Sequence, residues 1–241
     1  MRNISTIFRR EVSAYFNSPI AYIFIILFVF ILGFLFFVFF PFFSQTSPDL
    51  RNFFFWFPWV LSIFIPAVTM RLWSEERRSG TIELLLTWPL QAWEIVVGKY
   101  LAGLFVIAVS LALTLVVPLS LASVTTIEWG VIFTSYLGAL LISSVYIALG
   151  AWASTLTSNQ IVSLLIAIAF SLVMVGIGYP PVVKFLNGVE GLGKFIGWFG
   201  TDFHFREFSK GLVNPVGLIY GLSVTVFFLV LNNLFVEGRK F

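Results

Sequence analysis

The chain has no cysteine, a single histidine and very little charge: of 241 residues, 10% are Asp, Glu, Lys or Arg, while 59% are hydrophobic. Each shortage excludes something. Without cysteine there is no disulfide framework, no thiolate zinc site, no iron–sulfur cluster and no cysteine nucleophile. One histidine, His204, cannot build a multi-histidine metal site. A soluble domain carries about 25% charged residues, and this chain has too little polar surface to cover a water-soluble core. Its apolar excess must face lipid. The net charge of +3 comes from basic residues spread among apolar runs. That pattern encodes membrane orientation rather than nucleic-acid binding.

What the sequence does contain is long uncharged runs: Val12 to Pro48, Asn52 to Met70, Tyr100 to Ile127, Trp129 to Val183 and Gly211 to Val236. A membrane helix needs about 20 predominantly apolar residues, so every run can span a bilayer. The fourth is long enough for two spans, divided by the polar stretch Ser154 to Gln160, whose hydroxyls and amides would lack partners in hydrocarbon. The expected fold is therefore all-α and polytopic, with six membrane helices near 20–43, 53–70, 100–122, 131–153, 161–179 and 213–235. Lys184, Glu190 and Lys194 interrupt the segment 181–211, which reads as a re-entrant or interfacial element on the outer side. No charge falls in the middle of an expected span, which argues against a proton relay.

Orientation follows from the basic residues. Arg2, Arg9, Arg10, Arg71, Arg77, Arg78, Lys99, Arg239 and Lys240 share one side, against Arg51, Lys184, Lys194, Arg206 and Lys210 on the other. The positive-inside rule then places both termini in the cytoplasm. No A-x-A-like cleavage site follows the first apolar run, so that helix is expected to be retained. Residues 1–18 alternate with helical period, Ile4, Ile7, Phe8, Val12, Tyr15 and Phe16 opposing Arg2, Arg9 and Arg10. This is the pattern of a helix lying along the membrane surface. Glu11 interrupts its apolar face, either as a solvated charge or as a salt-bridge partner of the 71–99 connection.

The densest charge cluster lies in that connection. Met70 to Arg78 can continue the second helix into water, Gly80 supplies a stop, and Thr81 offers an N-cap with Glu83 in the following first turn. A short helix would then run to Leu86 and end before Pro89, exposing Ile82, Leu85 and Leu86 as an apolar knob. Ordinary capping of two membrane helices accounts for part of this pattern. The whole stretch from Ser74 to Leu101, S-E-E-R-R-S-G-T-I-E-L-L-L-T-W-P-L-Q-A-W-E-I-V-V-G-K-Y-L, resembles the signature of ABC-2 type transporter permeases. Tyr15 to Tyr22 and His204 to Val213 are further similar to the gliding-motility-type GldF permease subunits. Nitrous-oxide-reductase maturation permeases share the Ser18-Pro19 start and the charged island.

The resemblance implies a permease dimer in a prokaryotic inner membrane, bound to two cytoplasmic ABC ATPase subunits, with an accessory membrane protein bearing a large extracytoplasmic domain. A cytoplasmic coupling helix would sit in a cleft of the ATPase. The matching positions here are Gly80, Thr81, Glu83, Leu84 and Leu85, with Glu75, Glu76, Arg77 and Arg78 adding charged contacts. The second and fifth helices would line a central path, offering Trp56, Trp59, Ser163 and Ser171 among apolar neighbours. Two functions are compatible with such a path: movement of an apolar or amphipathic substrate, or mechanical work on the partner protein.

Other chemistry fails on its residues. Gly188 to Lys194 fits G-x-x-x-x-G-K, but Phe195 stands where a P-loop needs the Ser/Thr that holds magnesium. ATP and magnesium are therefore expected on the separate ATPase, with no cofactor, metal or catalytic residue in this chain. His204, between Phe203 and Phe205, reads as the anchor of an interfacial helix. An ion-coupled transporter would need buried charges and internal repeats that the sequence does not display.

Overall fold

The computed structural model describes residues 2–39, 50–81, 90–123, 127–186 and 192–238, and all regular structure among them is helical. The amphipathic N-terminal segment is α1 (Arg2–Phe16), with Ile7 and Tyr15 buried and Arg9 and Arg10 exposed. Asn17 and Ser18 turn the chain, and Pro19 opens α2 (Pro19–Phe39), where its missing N–H costs nothing. Ala21, Phe24, Ile25, Phe28, Leu32 and Phe36 bury one helical stripe of α2. The rest of its surface, including Ile23, Ile26, Phe30 and Phe34, is exposed and apolar, as a lipid-facing helix requires.

Three pieces follow: α3 (Arg51–Phe55), α4 (Phe57–Thr69) and α5 (Arg71–Arg78). Phe57 to Arg78 forms one candidate span of 22 residues. The second expected helix thus continues past Met70 as the sequence suggests, but starts at Phe57 because the chain breaks at Trp56. The next span begins earlier than expected. Glu94 accepts the Gln91 backbone N–H at 3.2 Å, a cap that starts α6 at Ala92 (Ala92–Thr114). Lys99 is therefore helical and buried, not part of a loop. Pro118, which has no N–H to offer Thr114, accounts for the break before α7 (Val116–Leu121).

The centre of the molecule is α8 (Trp129–Leu156). Its small residues Ala139, Ser143, Ser144, Ala148, Gly150 and Ala151 are all buried within the chain, so their role is intramolecular packing. A Cβ added at Gly150 would meet Thr69 Oγ1 at 2.1 Å, and one at Gly138 would meet Phe208 Cβ at 2.6 Å. No larger residue fits at either crossing without displacement. The polar break is shorter than the sequence suggests, because Ser154 to Leu156 stay helical and only 157–159 form the turn. Asn159 then caps α9 (Gln160–Gly176), accepting the Ile161 N–H at 2.9 Å.

At 1.5 Å per residue α9 reaches only about 25 Å, and the chain bends by 71° into α10 (Pro180–Leu186). Among the described residues five helices are long and apolar enough to cross a membrane, and a sixth crossing is reached if α9 and α10 count as one bent span. Two more short helices, α11 (Leu192–Trp198) and α12 (Thr201–Phe208), precede the final span α13 (Pro215–Glu237). The last of these short helices runs antiparallel along α8. Thr134 donates to the Phe208 carbonyl at 2.8 Å, while Tyr146, in the second half of α8, shares a 2.6 Å hydrogen bond with Thr201. The single histidine is a packing anchor: His204 Nε2 meets the Trp198 carbonyl at 2.9 Å, and its ring stacks on Tyr220 at 4.1 Å.

Candidate functional site

The charged cluster around α5 is where four helices converge. One side of α5 joins α1 and α6. The Glu76 carboxylate accepts from Arg10 and from Lys99, both at 3.0 Å, and Lys99 also donates to Glu11 at 3.1 Å. Arg10 closes the ring on Glu11 at 2.6 Å. The Lys99 side chain is 2% exposed and its ammonium lies 5.1 Å from the Trp73 ring. Two cations and two carboxylates cancel, and that neutrality lets Lys99 be buried in an apolar helix. Lys99, expected in the connection before the third span, instead lies in the first third of α6, and its counter-ions come from other helices. Burial pushes the Glu11 carboxyl up, but the Lys99 and Arg10 cations outweigh this and hold it below the usual carboxylate range. Of the two readings of Glu11, the salt bridge is the observed one.

Around this ring α1 is held at further points. Asn3 donates to both Glu94 carboxylate oxygens at 3.1 Å, and Tyr15 donates to the Val68 carbonyl at 2.8 Å. A Cβ at Gly98 would come within 2.7 Å of Ile7, so α1 and α6 touch backbone to side chain.

The opposite side of α5 is stitched to the end of α8. Ser154 accepts the Trp73 and Ser74 backbone N–H groups, each at 3.0 Å, and donates to the Met70 carbonyl at 2.9 Å. One hydroxyl therefore satisfies two backbone N–H groups that the break at Met70 would otherwise leave unpaired in a buried site, and joins the Ser74 hydroxyl on the Met70 carbonyl. Arg77 reaches the Thr155 carbonyl in the last turn of α8, where a cation also suits the helix dipole.

These contacts divide the residues expected to couple to a motor. Glu76 and Arg77 face inward and hold α5 to its neighbours, whereas Glu75, Arg78, Gly80 and Thr81 lie on the surface. Gly80 sits at φ +71°, a left-handed stop that follows α5 and that an L side chain rarely adopts. The Thr81 hydroxyl lies 2.9 Å from that of Ser79 and bonds back toward α5. Glu83, Leu84 and Leu85, with the short helix expected there, lie outside the described residues.

The residues expected to line a path lie on α4, at the break before it, and on α9. Ser163 and Ser171 are wholly buried on the inward face of α9. Trp56 and Trp59 are half-buried, Trp59 edge-on to Tyr179 at 5.4 Å. Sequence reasoning missed Lys99 and Ser154 as site residues. Their signals were a lysine only five residues beyond the Glu94 cap and a serine at helical spacing from Gly150.

No curated protein matches the chain. Residues 56–231 match the ABC-2 family transporter proteins, a stretch that runs from α4 through most of α13 and includes the α5–α8 junction. That covers well over half of the molecule, and the chain belongs to the ABC-2 transporter family as a multi-pass membrane permease component.

Proposed function

We propose that this permease is driven by a separate ATPase that grips the surface formed by Glu75, Arg78, Gly80, Thr81 and the residues that follow. The observation that carries this reading is the double anchorage of α5. A tilt imposed on α5 moves α8 through Ser154 and Arg77, and moves α1 and α6 through Glu76. A short helix clamped on both sides transmits displacement instead of absorbing it. In this reading α1 and α5 are cytoplasmic, two permease copies and two ATPases assemble in a prokaryotic inner membrane, and 181–211 folds back on the outer side. The GldF-like subgroup is favoured by the stretches 15–22 and 204–213.

Co-expression with the candidate ATPase tests it. Vanadate-sensitive ATP hydrolysis and co-purification are expected to fall in Gly80→Pro, whose ring cannot adopt a positive φ, and in Glu83→Lys. If neither variant weakens association or turnover, the grip lies elsewhere.

The closed, apolar packing of Ser163 and Ser171 favours a second reading, in which ATP hydrolysis drives a partner membrane protein without moving a solute. A continuous cavity of lipid or drug size between two permease copies would count against it.

A further inference from the structure

A cavity of about 850 Å³ opens between α1, α2, α4 and α5. Its two ends differ in chemistry. Ala21, Phe24 and Leu27 of α2 face Ile63, Phe64 and Ala67 of α4 at the apolar end, while Arg10, Arg71, Glu75 and Ser79 stand at the mouth. From Ile63 to Ser79 along α4 and α5 the rise is about 24 Å. One leaflet of a bilayer with its headgroups measures about 20–22 Å. The cavity therefore has the length and the polarity gradient of one phospholipid.

The mouth also carries charge to match. Glu11, Glu76, Arg10 and Lys99 neutralise one another. Arg71 and Glu75, one helical turn apart on α5, form no ion pair among the described residues. The Arg71 guanidinium lies over the Tyr15 ring at 4.2 Å, half-buried beside the apolar trough. Glu75 is exposed next to it. A guanidinium at that level suits a phosphate diester, and a carboxylate one turn further out suits a primary ammonium that can donate hydrogen bonds.

We propose that this cavity binds a membrane phospholipid with an ethanolamine head, its phosphate on Arg71, its ammonium on Glu75 and one acyl chain between α2 and α4. The site shares Glu75 with the edge of the surface assigned to the ATPase, so it is tested on the permease alone, where no ATPase can cover that residue. The full chain, purified in detergent, is exchanged into defined mixtures of phosphatidylethanolamine, phosphatidylcholine and phosphatidylglycerol, and bound lipid is read by native mass spectrometry.

Phosphatidylethanolamine is expected to be retained over both others, about tenfold more weakly in Arg71→Gln. In Glu75→Gln the total retained is expected to change little, while the preference for ethanolamine over glycerol heads disappears. Ala67→Phe is expected to displace the acyl chain without touching the mouth. Circular dichroism and elution volume confirm that each variant is folded. Equal retention of all three lipids by the native chain overturns the proposal. So does a lipid-free dimer that dissociates in Arg71→Gln, because a second copy of the chain would then occupy this face.

Discussion

Ser154 is a single hydroxyl with three hydrogen bonds to the backbone of another helix. Its removal strands two buried N–H groups, while the Met70 carbonyl keeps the Ser74 hydroxyl as a donor; each lost bond costs about 1 kcal/mol and each stranded group somewhat more. Ser154→Ala is expected to destabilise the folded chain by about 2–3 kcal/mol. Ser143 is the matched control, equally buried on α8 but bonded only to the Ala139 carbonyl of its own helix. Ser143→Ala strands no donor and is expected to cost well under half as much. Thermal unfolding of both variants in the same detergent measures the difference. Equal losses would mean that the Ser154 bonds do not fix the joint.

At the scale of elements, α1 is bound by the Glu11–Lys99 pair, and pH tests that tie. Glu11 has a folded pKa below its unfolded value of about 4.3. Its stabilising contribution is thus fully present above about pH 5 and is lost as pH falls through the depressed folded value. Acidification from pH 7 to pH 3 is expected to loosen α1 in the native chain, read as amide hydrogen exchange in α1 that rises relative to exchange in α8 of the same chain. Glu11→Gln, which has no proton to gain, is expected to be loosened already at pH 7 and to change less over the same range. A native chain whose α1 exchange stays constant relative to α8 across this range would remove Glu11 from the account. This element was partly legible beforehand. The period of Ile7, Val12 and Tyr15 identified an amphipathic helix, and Glu11 stood out as a charge on the wrong face. The partner could not be read, because Lys99 was counted among loop charges that set orientation. Only the cap at Gln91 and Glu94 brings that lysine inside α6. Similarly, Ser154 appeared as the start of a polar turn, since a hydroxyl whose partners lie some 80 positions away carries no local signal. Hydropathy located the helices well; it could not say which polar groups inside them find partners across the bundle.

For the whole molecule, the question the fold leaves to experiment is how many times the chain crosses, since α9 with its 71° bend decides between five crossings and six. The number fixes where the ends lie. With six crossings the start of α1 and the end of α13 share a side; with five they are opposed. The chain contains no cysteine, so single cysteines can be introduced without any background. Ser5, Thr81, Ser123, Leu212 and Gly238 are exposed and suit this use. A membrane-impermeant maleimide applied to intact spheroplasts is expected to label Ser123→Cys and Leu212→Cys, and to reach Ser5→Cys, Thr81→Cys and Gly238→Cys only after permeabilisation. Labelling of Gly238→Cys from outside, with Ser5→Cys protected, would establish five crossings and make α9 a helix that enters and leaves on one side. Labelling of Thr81→Cys from outside would be more damaging, because the surface assigned to the ATPase would then face away from ATP. The sparse charge that excluded a soluble protein thus makes a definite commitment: under the proposed function its densest cluster lies on the side of the ATPase, and Thr81→Cys labelling decides it.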